Sequence, residues 1–337
     1  MKLCENAKDK MENSIRSNGE RPMNTSRASA VPYVMVILAA VALWVTTGFT
    51  QVSAALPGAI DTQGGAAAAL RVRHLALRDQ LASNSFNRPL VLESSEGSNA
   101  VNGEIFAVVP YAFDMVGKAL GAPQAWCEIL ILHLNTKYCK IVPDGQKTAL
   151  LMNLGKKFDQ PIEQSYRLAF AWQLTDQRAD YLRVALTADT GPLSTRDYRI
   201  TLEAIPLENG STFLHLSYAY GFGVTGKFAM LAYFSTVGHS KVGFSVIGTE
   251  QDGQPTFING MRGQSERNTM RYYLAIDSFL AALALPASAQ FEQRIATWFT
   301  AVERYPRQLH EMDRAEYLTM KRKEYLRQQG DLPVASN

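Results

Sequence analysis

Apolar and polar residues alternate through the middle of this chain and recur at helical spacing toward its end. Alternation with period two marks half-buried strands, and recurrence at i, i+3 and i+4 marks one face of a helix. Glu104–Val109 sets Ile105, Ala107 and Val109 on one face. Ala112–Leu120 reads as a helix that ends near Gly121-Ala-Pro123. Strands are expected at Glu128–Leu134 and Thr148–Leu154, then at Ser165–Gln173, with Tyr166, Leu168, Phe170 and Trp172 together. Tyr181–Ala188, Asp197–Ile205 and Thr212–Tyr220 continue the series. Asn209-Gly210 between the last two supplies the positive φ of a tight hairpin. Strands joined by short turns imply an antiparallel meander. Three helices follow: Gln264–Ala284, stopped by Pro286; Phe291–Arg304; and Arg307–Gln329, charged on most faces. Ahead of the strands, residues 55–69 read as a flexible linker, and 70–83 as a short helix with Leu70, Leu77 and Leu81 on one side.

The N-terminus follows another pattern. Val31–Phe49 carries no charge, and Val52-Ser53-Ala54 fits the small-x-small rule of signal peptidase. Met23 is the better start, leaving Arg27 as the positive flank. Residues 1–54 are therefore expected to be a signal peptide or an uncleaved signal anchor. The apolar run is just long enough to span a bilayer, and a buried soluble helix is the third reading. Either of the first two places the rest of the chain in the periplasm, or otherwise exported. Membrane association is then expected through residues 32–49.

Composition narrows the function. Net charge is +3 over 337 residues, and beyond residue 54 basic and acidic side chains nearly balance. Nothing there attracts a nucleic acid. Three cysteines occur, at 4, 127 and 139. Signal cleavage removes Cys4, and in an oxidising compartment Cys127 and Cys139 would pair. Two buried free thiols are the alternative. Only His133 stands near that pair, so no metal site is expected.

Two motifs resemble catalytic signatures without their context. Gly221-Phe-Gly-Val-Thr-Gly226 fits the dinucleotide fingerprint, but the strands before it are antiparallel and an all-helical tail follows. Gly238-His-Ser-Lys-Val-Gly243 places Val242 where a nucleophile elbow needs glycine. No cofactor is expected. His215, with Arg199 and Glu203 on a neighbouring strand, is a candidate acid–base cluster. A satisfied structural histidine is the alternative.

The fold class expected is α+β: a curved antiparallel sheet gripped by a long C-terminal amphipathic helix, with extra C-terminal helices. Val101–Trp126 and Gly263–Ala284 resemble the first strand, helical pair and closing helix of the START-like (SRPBCC, helix-grip) superfamily. The resemblance covers residues 88–285, after a linker and short helix at 55–87 and before a helical extension at 286–337. It extends to uncharacterised exported bacterial members. It implies a cavity between sheet and helix that holds a hydrophobic small molecule or a lipid. Trp126, Phe170, Trp172, Tyr218 and Tyr220 are the candidate liners. Arg262 and Arg267, with Glu266 and Arg271 at the start of the gripping helix, could meet an anionic headgroup or form a solvated face. The resemblance leaves two other functions open: an enzyme of the same fold acting on an apolar substrate, and an interaction module built on the C-terminal helices.

Overall fold

The structure, a computed structural model, describes residues 62–223 and 241–330. The apolar run at 32–49, the start at Met23, the second half of the glycine motif and Ser240 lie outside the described residues. Among the described residues no helix is long and apolar enough to cross a membrane.

Eight antiparallel strands form one open, curved sheet. They are β1 (Leu90–Glu96), β2 (Ala100–Val109), β3 (Thr136–Asp144), β4 (Lys147–Leu154), β5 (Tyr166–Arg178), β6 (Tyr181–Thr190), β7 (Thr195–Pro206) and β8 (Thr212–Phe222). Their order across the sheet is β1-β2-β8-β7-β6-β5-β4-β3. From β3 to β8 the chain meanders, each strand pairing with the next. The β1–β2 hairpin closes against β8. At the expected β7–β8 turn, Gly210 has φ +77° and Asn209 Oδ1 accepts from the Ser211 backbone N–H. A short hairpin, β9 (Val246–Thr249) with β10 (Pro255–Phe257), stands apart.

Period two assigns each strand's faces. Gly103, Tyr218, Ile200, Leu186 and Trp172 lie across the concave face in one cross-strand row. Phe106, Phe213 and Ile205 point to the convex face. Helix α1 (Thr62–Ala82) covers them with Ala67, Leu70, Leu77 and Leu81. It starts inside the stretch read as a linker, because Ala66–Ala69 are good helix formers with a surface to pack on.

Between β2 and β3 the chain crosses the concave side as α2 (Phe113–Leu120) and α3 (Pro123–Leu130). The strand expected at Glu128–Leu134 is thus helix and turn instead. Pro123 at the first helical position pre-sets φ, and Trp126, Ile129 and Leu130 share the buried side. A short apolar run alone does not separate strand from helix. The real edge strand, β3, begins at Thr136 and carries Cys139. Cys139 is bonded to Cys127 of α3, with Cα atoms 5.3 Å apart.

The gripping helix α4 (Gly260–Ala282) crosses the concave face over β1, β2 and β8. It approaches most closely at Gly103. A Cβ there would stand 2.4 Å from Thr269 Oγ1 and 3.0 Å from Ser265 Oγ. Helix α5 (Ala287–Val302) backs α4, and Trp298 Nε1 donates to the Arg271 carbonyl. The single tail helix expected over 307–329 is in fact two, α6 (Pro306–Leu309) and α7 (Arg314–Gly330). His310 turns to extended backbone between them. The tail is no detached extension: Tyr317 and Met320 join the main core, and α7 packs on β3.

Two outcomes test this packing. Gly103→Ala is expected to destabilise by about 1–3 kcal/mol in urea melts, as overpacking does. Thr269→Ala should recover part of that loss; additive effects would contradict the close contact. Replacing Cys127 and Cys139 together by alanine is expected to cost about 3 kcal/mol, from the entropy of a short closed loop.

Candidate functional site

A cavity of about 410 Å³ opens between the sheet and its helical cover. Three surfaces line it. The sheet contributes Met152, Phe170, Tyr198, Ile200, Tyr218 and Tyr220 from β4, β5, β7 and β8. Helix α4 contributes Gln264, Asn268 and Tyr272, one polar stripe at i, i+4 and i+8. The third surface is two loops: Leu130, His133 and Asn135 after α3, and Gly155, Lys156 and Gln160 after β4.

The tyrosines form a connected ring cluster. Tyr198 stacks on Tyr220 at 5.4 Å between centroids, and Tyr218 lies 5.3 Å from Tyr272. Tyr272 in turn stacks on His133 at 4.9 Å. Burial pushes the phenols of Tyr198, Tyr218, Tyr220 and Tyr272 up, so all four stay protonated and offer neutral O–H groups. Burial also pushes the His133 imidazole well down, aided by Arg271, Lys321 and Lys157 nearby. His133 is therefore neutral. Its Nδ1 accepts from the Asn135 backbone N–H, which leaves the ring proton on Nε2.

The loops interlock. Asn135 Nδ2 donates to the Gly155 carbonyl at 2.6 Å, and Gln160 Oε1 accepts from the Lys156 backbone N–H at 2.8 Å. Gln160 lies flat against Gly155, where a Cβ would meet its amide at 2.8 Å.

Of the residues singled out from sequence, Phe170, Tyr218 and Tyr220 line this cavity. Trp126 is buried beneath α2 and α3, donating from Nε1 to the Leu120 carbonyl. Trp172 is on the same sheet face, further along β5 and outside the lining. Arg262 donates from Nε to Ser94 Oγ, and Arg267, 4% exposed, donates to the Val242 carbonyl. Neither lines the cavity. The solvated face read at Glu266, Arg267 and Arg271 is in fact buried. Glu266, 0% exposed, accepts from the backbone N–H groups of Phe244 and Ser245 and from the hydroxyls of Ser94 and Ser245. Arg271 pairs with Glu311 at 2.8 Å, and Lys157 and Lys241 reach the same carboxylate. Burial alone would raise that carboxyl, but Arg271 and the two lysines override it and hold it at about 2.

Sequence reading missed His133, Asn135, Gln160, Gln264, Asn268 and Tyr272. Only the α4 stripe left a signal: polar residues at helical spacing on a helix with an otherwise buried face. Loop residues carry no period.

His215 sits on the convex face, opposite the cavity. Its ring stacks on Phe106 at 4.4 Å, Nδ1 lies 2.9 Å from Glu203, and Nε2 lies 3.2 Å from Glu104. Arg199 is exposed four residues along β7 from Glu203, beyond this cluster. Among the described residues no group of His, Cys, Asp and Glu could hold a metal ion.

No protein-family model matches the chain, and no curated protein does. Several solved structures are similar to it, each at a low score. A truncated norcoclaurine synthase from Thalictrum flavum shares 16% identity, with a TM-score of 0.30 over 43% of this chain and 90% of that one. Human StAR-related lipid transfer protein 5 shares 9%, with a TM-score of 0.28 over 52% and 89%. The Zhui aromatase/cyclase of Streptomyces sp. R1128 shares 12%, with a TM-score of 0.29 over 58% and 93%. The helix-grip arrangement rests on this chain's own strand order and on α4, not on those scores.

The convex-face histidine gives a pH test. Burial lowers His215, but its hydrogen bonds to Glu104 and Glu203 outweigh that and push it up to about 9 from 6.5. Its stabilisation is fully present below 6.5 and is lost as pH rises through about 9. His215 is expected to contribute a fall of about 3 kcal/mol across that window, while Lys157 and Lys321, pushed down to about 8 chiefly by burial, contribute a rise above that pH. The wild-type urea-melt profile minus that of His215→Gln should show the fall; identical profiles would assign the effect elsewhere.

Proposed function

We propose that this chain binds a single hydrophobic small molecule in the cavity between α4 and the sheet, and that it does so in the cell envelope. The observation that carries the reading is the cavity itself. Its volume falls at the small end of ligand sites, roughly 300–1,000 Å³, which suits one compact molecule better than a two-chain lipid. Aromatic and aliphatic side chains make the sheet wall, and a few polar groups converge from the helix and loops. That combination orients a mainly apolar guest.

Binding is favoured over catalysis by what lines the space. Among the described residues the lining holds no serine, cysteine or carboxylate beside a base, and its histidine is neutral and stacked. The Glu203–His215–Glu104 cluster faces the other side of the sheet. Export is supported by the charge-free run ending in Val-Ser-Ala and by the Cys127–Cys139 bond, since disulfides persist in oxidising compartments.

Ile200 lies in the floor of the cavity at 2% exposure. Ile200→Trp is expected to intrude on the space and weaken uptake of apolar ligands in native mass spectrometry. The fold should survive, with a loss of about 1–3 kcal/mol. Undiminished uptake by a folded Ile200→Trp chain would refute the cavity as the binding site.

A further inference from the structure

We propose that the guest of this cavity carries an anionic group, a carboxylate or a comparable oxyanion, held at the loop end by His133 and Gln160. The inference rests on the cavity being the ligand site and goes further by fixing the ligand's charge.

The lining is one-sided in charge. Among the described residues it contains Lys156 and no Asp or Glu. It is also one-sided in hydrogen bonding. Three side chains at most 6% exposed end in donors with no hydrogen-bond partner: His133 Nε2, Gln160 Nε2 and the Tyr220 hydroxyl. The Gln264 Oε1 atom is the matching unpartnered acceptor of the lining. A buried donor left without an acceptor is costly, so the site calls for acceptor atoms from its guest.

The first two donors share one end of the cavity. His133 is bonded to Asn135, Asn135 to Gly155, and Gln160 packs on Gly155. Both donors have their other polar atom committed to a backbone N–H, of Asn135 and Lys156 respectively. Each is thus fixed in orientation with its N–H to spare. Asn268 of α4 stands beside His133 as a hydrogen-bonding neighbour that raises its pKa, while Nε2 meets no partner at full hydrogen-bond geometry.

This end also sits in a positive field. Behind it Lys157, Lys241 and Arg271 converge on the single carboxylate of Glu311. Lys137 and Lys321 converge on the single carboxylate of Glu324, and Lys321 also donates to the His133 carbonyl. At the rim, the exposed Lys156 ammonium rests over the Phe158 ring. A neutral donor pair in front of surplus cations suits an oxyanion, because charge-assisted hydrogen bonds are the stronger ones. The tyrosine and aliphatic wall then takes the apolar body.

Calorimetry on the full chain at neutral pH tests this with matched pairs: dodecanoic acid against 1-dodecanol, and 2-naphthoic acid against 2-naphthylmethanol. The acid of whichever pair binds is expected to bind about tenfold or more tighter than its alcohol, the scale of charge-assisted hydrogen bonds. Added salt should narrow that gap. His133→Phe keeps the stack on Tyr272 and Lys156→Gln is at the surface. In both, the ratio of acid to alcohol affinity should fall most of the way to one, whatever the change does to binding of the alcohol itself. Equal affinity for acid and alcohol would overturn the charge assignment and leave the cavity reading standing. Binding of none of the four would overturn both.

Discussion

The seating of one helix on one glycine governs this architecture. Helix α4 reaches the sheet where Gly103 leaves room for Ser265 and Thr269. One turn along, Glu266 fastens the helix by accepting from Ser94 on β1 and from Phe244 and Ser245 in the approach to the helix. A carboxylate with no exposure is tolerable only when such donors replace water. The seat fixes α4 over β1, β2 and β8. An eight-stranded sheet is wider than one helix, so the β3–β4–β5 side needs another cover. Helices α3 and α7 supply it. The cavity lies beneath the junction of the two covers, with α4 on one side and the end of α3 and its following loop on the other.

The second cover is held by different physics. Apolar packing is supplemented by the Cys127–Cys139 bond and by charge. Lys137 and Lys321, at 1% and 0% side-chain exposure, share Glu324, and their ammoniums also reach main-chain carbonyls at Leu134, His133 and Thr136. Buried ion pairs of this kind contribute little net stability against an apolar alternative, but losing one partner is severe. Their directional bonds fix α7 against β3 in one register, which undirected apolar contacts do less well.

How much of this was legible follows from where periodicity exists. The strands from Ser165 to Tyr220 alternate, so their faces and three of the cavity's aromatics could be read directly. The α4 pattern fixed the gripping helix. The β3 edge was misread because Ile129–Leu132 is an unbroken apolar run that carries no period, while Pro123 had already set a helix. The buried arginines of α4 were read as solvated because their partners are distant in sequence: Val242 for Arg267, and for Arg271 Glu311, forty residues on. Arg271 and Glu311 are brought together only by the break at His310 between α6 and α7. Likewise Glu104 and Glu203 become partners of His215 only through strand pairing across β2, β8 and β7.

That same division organises the site. Sheet residues set the cavity's volume and its apolar character, because they also form the core and are constrained by it. Loop residues 133–135 and 155–160 set its polarity, because their side chains answer to one another rather than to a repeating lattice. A change at Ile200 or Tyr218 must disturb the packing of neighbouring strands. A change at His133 or Gln160 alters what the cavity prefers while leaving the sheet's ladders intact. Capacity and selectivity are therefore carried by separate parts of the chain, and the fold can keep one while the other varies.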